Sequence, residues 1–187
     1  MNFNEHYNLA GKHAFLGASK NSWLNYTPEK LEKTFFSNLK RQEGTEIHAF
    51  ASAAIKHRIK LAKLKKALNL FVNDAIGYGM DSEQVLYYSD NCFGTADAIL
   101  FKDGLLRIHD LKTGDIPVQH FTQLDIYAAL FCLEYDVDPF KIDVVERLYQ
   151  DGQYTESVPE PELIKSISDK IVEFDKELET LQSNLDR

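Results

Sequence analysis

Apolar and polar residues alternate along the middle of the chain in a pattern that predicts three successive strands. The runs Gln84–Tyr88, Phe93–Phe101 and Leu105–Lys112 are rich in apolar residues, and the turn signal Lys102-Asp103-Gly104 separates the last two. Strands joined by so short a turn pair in antiparallel fashion. The pattern therefore predicts the antiparallel part of a β-sheet.

Helical patterns flank these strands on both sides. Thr27-Pro28 is typical of a helix start, and the stretch from Thr45 to about Asn73 is rich in Ala, Leu and Lys without Gly or Pro, which predicts one long helix. A second helix is predicted from His120 to about Glu134, and a further strand at Lys141–Gln150. The predicted order is α, β, β, β, α, β.

A last amphipathic helix is predicted at 160–187. Its apolar positions recur at alternating steps of three and four, which is a heptad seam; they are Ile164, Ile167, Ile171, Phe174, Leu178, Leu181 and Leu185. Packing on its own domain is favoured over a dimerising coiled coil, because about three heptads are short for an independent one. A homo-oligomer or a partner protein bound through this helix stays as the alternative.

Length and composition favour one globular domain over residues 1–187, with 44% hydrophobic residues to fill a core. Residues 1–43 are read as an N-terminal helical flap and 44–150 as the core. No apolar run is long enough for a membrane span and no signal peptide is recognisable, so a cytoplasmic protein is expected. The net charge of −8 argues against a protein that coats nucleic acid, but it permits a local basic track.

Two cysteines, Cys92 and Cys132, lie in no CxxC or Cys/His cluster. Zinc and iron–sulfur sites are therefore not expected, and both residues are read as reduced thiols.

Three of the charged residues in the predicted hairpin are candidates for chemistry. Asp97 lies in its first strand and Asp110 and Lys112 in its second, where the period of two puts the latter pair on one face. Carboxylates suit a hard divalent ion, and a lysine suits a phosphate under attack. Exposed strand-end aspartates are the less favoured alternative, because an unpaired charge inside apolar runs is costly.

With their surroundings these residues form four blocks that resemble the PD-(D/E)XK nuclease superfamily, in particular its RecB-like branch. The blocks correspond to the family's GTxxH, GxxD, DxK and QxxxY motifs and are Gly44-Thr45-Glu46-Ile47-His48, Gly94-Thr95-Ala96-Asp97, Asp110-Leu111-Lys112 and Gln123-Leu124-Asp125-Ile126-Tyr127. The resemblance implies an α/β fold with a restriction-endonuclease-like αβββαβ core, a mixed central sheet, flanking helices and a C-terminal helix.

The resemblance also implies roles for individual residues. The metal ligands for Mg²⁺ or Mn²⁺ are expected to be His48, Asp97, Asp110 and Leu111. The catalytic residues are expected to be Asp97, Asp110, Lys112, Gln123 and Tyr127. Many relatives carry a glutamate where this chain has Ser52, so the acidic set is expected to be incomplete, with either one tightly held ion or weaker catalysis.

Basic residues suggest where a nucleic acid would lie. Six of them fall between Lys56 and Lys66, with no acid between Glu46 and Asp74. On one continuous helix Lys56, Lys60 and Lys63 share a face and form a phosphate track, although a solvated helix face is an equally favoured reading. In the flap, Lys20 and Trp23 would add a cation and a stacking ring for a single strand.

The sequence therefore predicts a metal-dependent deoxyribonuclease, with exonuclease action in recombination, repair or phage DNA metabolism, and DNA as its partner. The alternative is a nuclease-fold module for nucleic-acid binding or assembly that has weak or no catalysis, as Ser52 suggests. The chain offers no phosphate loop, HExxH or CxxC motif for another metal enzyme.

Overall fold

The computed structural model describes Tyr7, residues 13–114, Val118 and residues 120–185. The chain divides into two compact units, Met1–Thr45 and Glu46–Arg187. The helices are α1 (Pro28–Lys56), α2 (Ala67–Tyr78), α3 (Thr122–Glu134) and α4 (Pro161–Leu185), and the strands are β1 (Asp81–Ser89), β2 (Cys92–Lys102), β3 (Leu105–Leu111), β4 (Asp143–Gln150) and β5 (Gln153–Ser157).

The first unit contains the beginning of α1 and a short 3-10 helix at Asn21–Asn25. The predicted helix start is confirmed, because α1 begins at Pro28 and the Thr27 hydroxyl accepts a hydrogen bond from the Lys30 amide at 3.2 Å. The helix continues through Gly44 without a break.

A five-stranded mixed sheet forms the centre of the second unit, in the order β1-β2-β3-β4-β5. Neighbouring strands are antiparallel except β3 and β4, which run parallel and are joined through α3. The α/β class, the mixed sheet and the antiparallel strand triplet are confirmed. The sheet topology by itself does not identify a nuclease core.

Two apolar clusters bury the residues of this sheet. One joins the sheet to α3 and α4, with Leu106, Leu124 and Ile164 fully enclosed. The other joins it to α2 and the end of α1, with Ile55 and Phe71 buried. The two free cysteines lie in the second unit, where Cys132 is buried and Cys92 half-buried.

Asp-Gly turns close both antiparallel hairpins that flank the parallel pair. Asp103 and Gly104 have φ of 52° and 79°, and Asp151 and Gly152 have φ of 51° and 73°. Positive φ at both positions is the geometry of a type I′ hairpin turn. The first turn was predicted, and the second forms the hairpin between β4 and β5.

The long helix predicted from Thr45 to Asn73 is wrong. Helix α1 ends at Lys56, Arg58 has φ of 55°, and α2 begins only at Ala67. Side chains of α2 hold the connecting segment in its non-helical form, since the Asn73 amide bonds both the backbone N–H and the carbonyl of Leu61, at 2.8 and 3.0 Å. These tertiary bonds override helix propensity, and repulsion among the clustered lysines works in the same direction.

The predicted lysine face is lost with that helix. Lys56 lies in the last turn of α1, whereas Lys60 and Lys63 are exposed in the connecting segment. The three lysines therefore do not share a helical face. The carbonyl of Lys65 in this segment approaches Gly152 so closely that a Cβ there would lie 2.4 Å from it, which explains why a glycine occupies the turn.

The heptad seam of α4 is used in two different ways. Its first half packs on the domain, with Ile164 buried and Ile167 and Ile171 against the same cluster, whereas Phe174 and Leu181 are exposed. Packing on its own domain is thus confirmed for the first half only. Among the helices of the described residues, none combines the length and apolarity needed to cross a bilayer.

A buried carboxyl pair lies between the sheet and α3. Both carboxylate oxygens of Glu146 on β4 are shielded from solvent, with no hydrogen-bond donor facing them among the described residues. Burial, followed by the nearby Asp125 on α3, raises the pKa of Glu146 to about 8. Because two ionised carboxylates repel each other, the folded state favours a Glu146 that keeps its proton beside Asp125.

We expect Glu146→Gln to remove a pH-dependent loss of stability. Between the ordinary pKa of 4.5 and the folded value of about 8, the folded protein keeps a proton that the unfolded chain releases. This group therefore lowers the free energy of unfolding by about 1.4 kcal/mol per pH unit as pH rises through that window. Glutamine has the shape of the protonated acid and does not titrate. Urea unfolding at about pH 5 and about pH 8 measures the free energy of unfolding. Relative to the wild type, Glu146→Gln should be more stable at the higher pH than at the lower, whereas the exposed control Glu179→Gln should show no such change.

Candidate metal centre

The register of the first three strands places three carboxylates in one row across the sheet. Ser82 pairs with Ala98 and Gln84 with Ala96, so Glu83 lies opposite Asp97. Pairing of β2 with β3 ends at Ala98 and His109, and the next position brings Asp97 level with Asp110. Opposite residues of antiparallel strands have Cβ atoms about 5 Å apart. The predicted meeting of Asp97 and Asp110 is therefore produced by register.

Asp97 is held in place by a helix and by the end of a strand. Its Oδ2 atom accepts a hydrogen bond from the Leu111 amide at 2.8 Å and lies 3.3 Å from His48 Nδ1 on α1. The Leu111 side chain is buried and its N–H is used for Asp97, so only its carbonyl oxygen is left to bind a cation. His48 and Asp97, both expected as ligands, thus meet directly.

Glu83 completes the group and was missed by sequence reasoning. Ligand atoms of His48, Glu83 and Asp97 all lie within 4.8 Å of one another. Glu83 has φ of 53°, a left-handed backbone that a glutamate adopts only at a cost of about 1 to 3 kcal/mol. The sole signal in the sequence is an acid beside the first strand, and its position opposite Asp97 is visible only once the strands are paired.

Ser52 has a structural role at the position where many members of the resembled family carry a glutamate. It is buried, and its hydroxyl lies 3.0 Å from the hydroxyl of Ser82, next to Glu83. The Ser82 hydroxyl also lies within 3.3 Å of the Ser52 carbonyl. Glu83 on β1 therefore supplies a carboxylate that α1 lacks at position 52. The contact between Ser52 and Ser82 joins the two elements next to Glu83.

The second half of the site is a chain of polar contacts from Asp110 to α3. Lys112 Nζ lies 2.8 Å from Asp110 Oδ2 and donates to Gln123 Oε1 at 2.7 Å. The Gln123 amide in turn donates to the Tyr127 hydroxyl at 2.8 Å. Tyr127 therefore keeps its own O–H free to donate. All four residues predicted for this part of the site are brought together.

A glycine makes room for the tyrosine of that chain. A Cβ on Gly94 would lie 2.8 Å from Cε1 of the Tyr127 ring, closer than carbon atoms can approach. The first residue of the GxxD block therefore lets α3 bring Tyr127 down onto β2.

The charges of the site are unbalanced. Burial, followed by Asp97, raises the pKa of the Asp110 carboxyl, although Lys112 opposes this shift. Burial and Asp97 also raise the pKa of Glu83. The hydrogen bond to Asp97 raises the pKa of His48 against the effect of burial. The charge of Asp97 thus disfavours a further negative charge on Asp110 and on Glu83, and a divalent cation would supply the opposite charge.

The residues expected to bind nucleic acid are spread over the chain. Lys56 is exposed at the end of α1, and its charge acts on Glu83. Lys60 and Lys63 are exposed in the connecting segment. Lys20 and Trp23 belong to the first unit, where Lys20 is exposed and Trp23 half-buried.

We expect Gly94→Ala to push the Tyr127 ring away and to destabilise the fold by about 1 to 3 kcal/mol, the usual cost of overpacking. The matched test is a double-mutant cycle with Tyr127→Leu, which removes the ring that the new methyl meets. In that background the cost of the alanine should shrink markedly, as measured by urea unfolding. Two costs that simply add would show that the glycine serves another purpose.

Comparison with known protein families matches one region of the chain and gives no activity for it. A family model described as a protein of unknown function (DUF2800) matches residues 80–146. That range contains Glu83, Asp97, Asp110, Lys112 and Tyr127, whereas His48 lies before it. No curated protein and no solved structure matches the chain.

Proposed function

We propose that this chain is a metal-dependent nuclease that hydrolyses phosphodiester bonds in DNA. The observation that carries the proposal is the grouping of ligand atoms from His48, Glu83 and Asp97 within 4.8 Å, beside an Asp110 that is ion-paired with Lys112. Carboxylates around a cation site with a lysine at its border combine the two charges that phosphate hydrolysis needs.

The donor set fits Mg²⁺ or Mn²⁺. Carboxylate oxygens suit both ions, and one imidazole is better tolerated by Mn²⁺. When bound, such an ion supplies Lewis-acid polarisation of the phosphate and stabilises the charge that builds up on its oxygens. His48, Glu83, Asp97 and Asp110 would hold it, with the Leu111 carbonyl as a further oxygen.

Lys112 would act on the reacting phosphate. In hydrolysis a water oxygen bonds to phosphorus, one P–O bond to a sugar breaks, and the sugar oxygen takes up a proton. The transition state carries more charge on the phosphate oxygens than the ground state does, and an ammonium group already fixed in place stabilises it without reorganisation. Asp110 and Gln123 fix Lys112 in this way, and Tyr127 holds the Gln123 amide.

DNA is the proposed substrate and an exonuclease the proposed mode, in recombination, repair or phage DNA metabolism. Lys56 is placed to draw a phosphate backbone toward the acids, since its charge already acts on Glu83. A net charge of −8 would keep DNA away from most of the remaining surface.

The test compares linear and circular DNA with Mg²⁺, Mn²⁺ or a chelator. We expect digestion of linear DNA only, and only with metal. Asp110→Asn and Lys112→Gln should each lower the rate by about a hundredfold or more. Asp103→Asn, an exposed turn aspartate replaced by a residue that tolerates the same backbone, should keep full activity.

Other outcomes decide against the proposal in different ways. Digestion that survives in both site variants would place the chemistry elsewhere. DNA binding without cleavage under any metal condition would favour the alternative of a binding module. That alternative has lost part of its basis, because Glu83 supplies a carboxylate that Ser52 does not.

A further inference from the structure

The first unit contains a cavity of about 480 Å³ that the metal centre does not use. It lies between the 3-10 helix Asn21–Asn25 and one side of α1, and its lining residues in the described part of the chain run from His13 to Gln42. Its volume falls in the range of small-molecule sites, roughly 300 to 1,000 Å³.

Two aromatic rings of the lining are held in place by polar contacts. The Trp23 ring nitrogen donates to the Gly17 carbonyl at 3.0 Å. The Tyr26 hydroxyl lies 3.3 Å from the Ser22 hydroxyl, and the Lys30 ammonium lies 4.8 Å from the centre of the Tyr26 ring. Rings fixed in this way offer a π surface at little entropic cost to a base that stacks on it.

The α1 side of the cavity is polar where a core-facing helix would be apolar. Thr34, Asn38, Arg41 and Gln42 recur at steps of three and four and therefore share one face of the helix. Two of these side chains are amides, which can donate to and accept from the edge of a base, and one is a guanidinium, which binds phosphate.

The charge of the lining is positive in an acidic protein. Lys20 and Arg41 both border the cavity, and the described residues that line it include no aspartate or glutamate. In a chain of net charge −8 this is a local reversal of sign. A cation pair without acids, next to fixed rings and amides, matches a ligand that carries both an anion and an aromatic base.

We propose that this cavity binds a nucleoside monophosphate unit, with the base on Trp23 and Tyr26 and the phosphate at Lys20 and Arg41. The unit is either a free nucleotide or one residue of a single DNA strand. The proposal goes beyond the nuclease activity and does not require the metal centre, so either can fail without the other.

Trp23 is the only tryptophan of the chain, so its fluorescence reports on this cavity alone. We titrate the full protein, in chelator, with dTMP, with thymidine and with a short oligothymidylate. Stacking should quench the emission with dTMP or with the oligonucleotide, and thymidine should bind at least about tenfold more weakly because it lacks the charged contacts. Quenching by dTMP supports the free nucleotide as the source, and quenching by the oligonucleotide alone supports a strand.

Variants test the phosphate contact. Arg41→Ala and Lys20→Ala should each weaken binding by about tenfold, with far-UV circular dichroism showing that the helices are kept. Lys33→Ala, which removes a lysine of the same unit that does not line the cavity, should bind as the wild type does. The proposal is overturned if nothing quenches Trp23, if thymidine binds as tightly as dTMP, or if Lys33→Ala weakens binding as much as Arg41→Ala.

Discussion

The register of β1, β2 and β3 is the constraint on which the rest of the site depends. It places Glu83, Asp97 and Asp110 in one row across neighbouring strands. Neighbouring carboxylates in this row repel one another, and His48 and Lys112 compensate only part of that charge. Burial, followed by the charge of Asp97, raises the pKa of both Glu83 and Asp110. Such a row of acids costs stability, and the divalent cation proposed above would offset its charge.

Other features of the second unit serve this row. The left-handed backbone of Glu83 is a local strain at the position where this acid joins His48 and Asp97, and strained residues often occur at functional sites. Gly94 has no side chain, and this leaves the space that the Tyr127 ring occupies against β2. Helix α1 contributes His48 on one side and α3 contributes Gln123 on the other, so the two layers around the sheet meet the row from different directions.

Local sequence patterns predict much of the arrangement of Asp97, Asp110 and Lys112. Strand alternation placed Asp110 beside Lys112, and the Asp-Gly turn paired the strands that bring Asp97 to Asp110. Non-local contacts explain the features that the sequence analysis missed or predicted wrongly. Glu83 joins the site only through the pairing of β1 with β2, and the helix break after Lys56 depends on Asn73 binding the Leu61 backbone. Neither is encoded in the periodicity of its own segment. The hairpin at Asp151-Gly152, in contrast, does carry a local turn signal in the sequence.

The most direct test of the central claim is a calorimetric titration of the protein with Mn²⁺, comparing the wild type with Glu83→Gln. If the row of acids is a cation site, the wild type binds the ion and the variant binds it at least about tenfold more weakly, because one charged ligand is lost. The control Glu179→Gln, an exposed glutamate of α4, should bind as the wild type does. Equal affinity of Glu83→Gln and wild type, or no binding to either, would contradict the account.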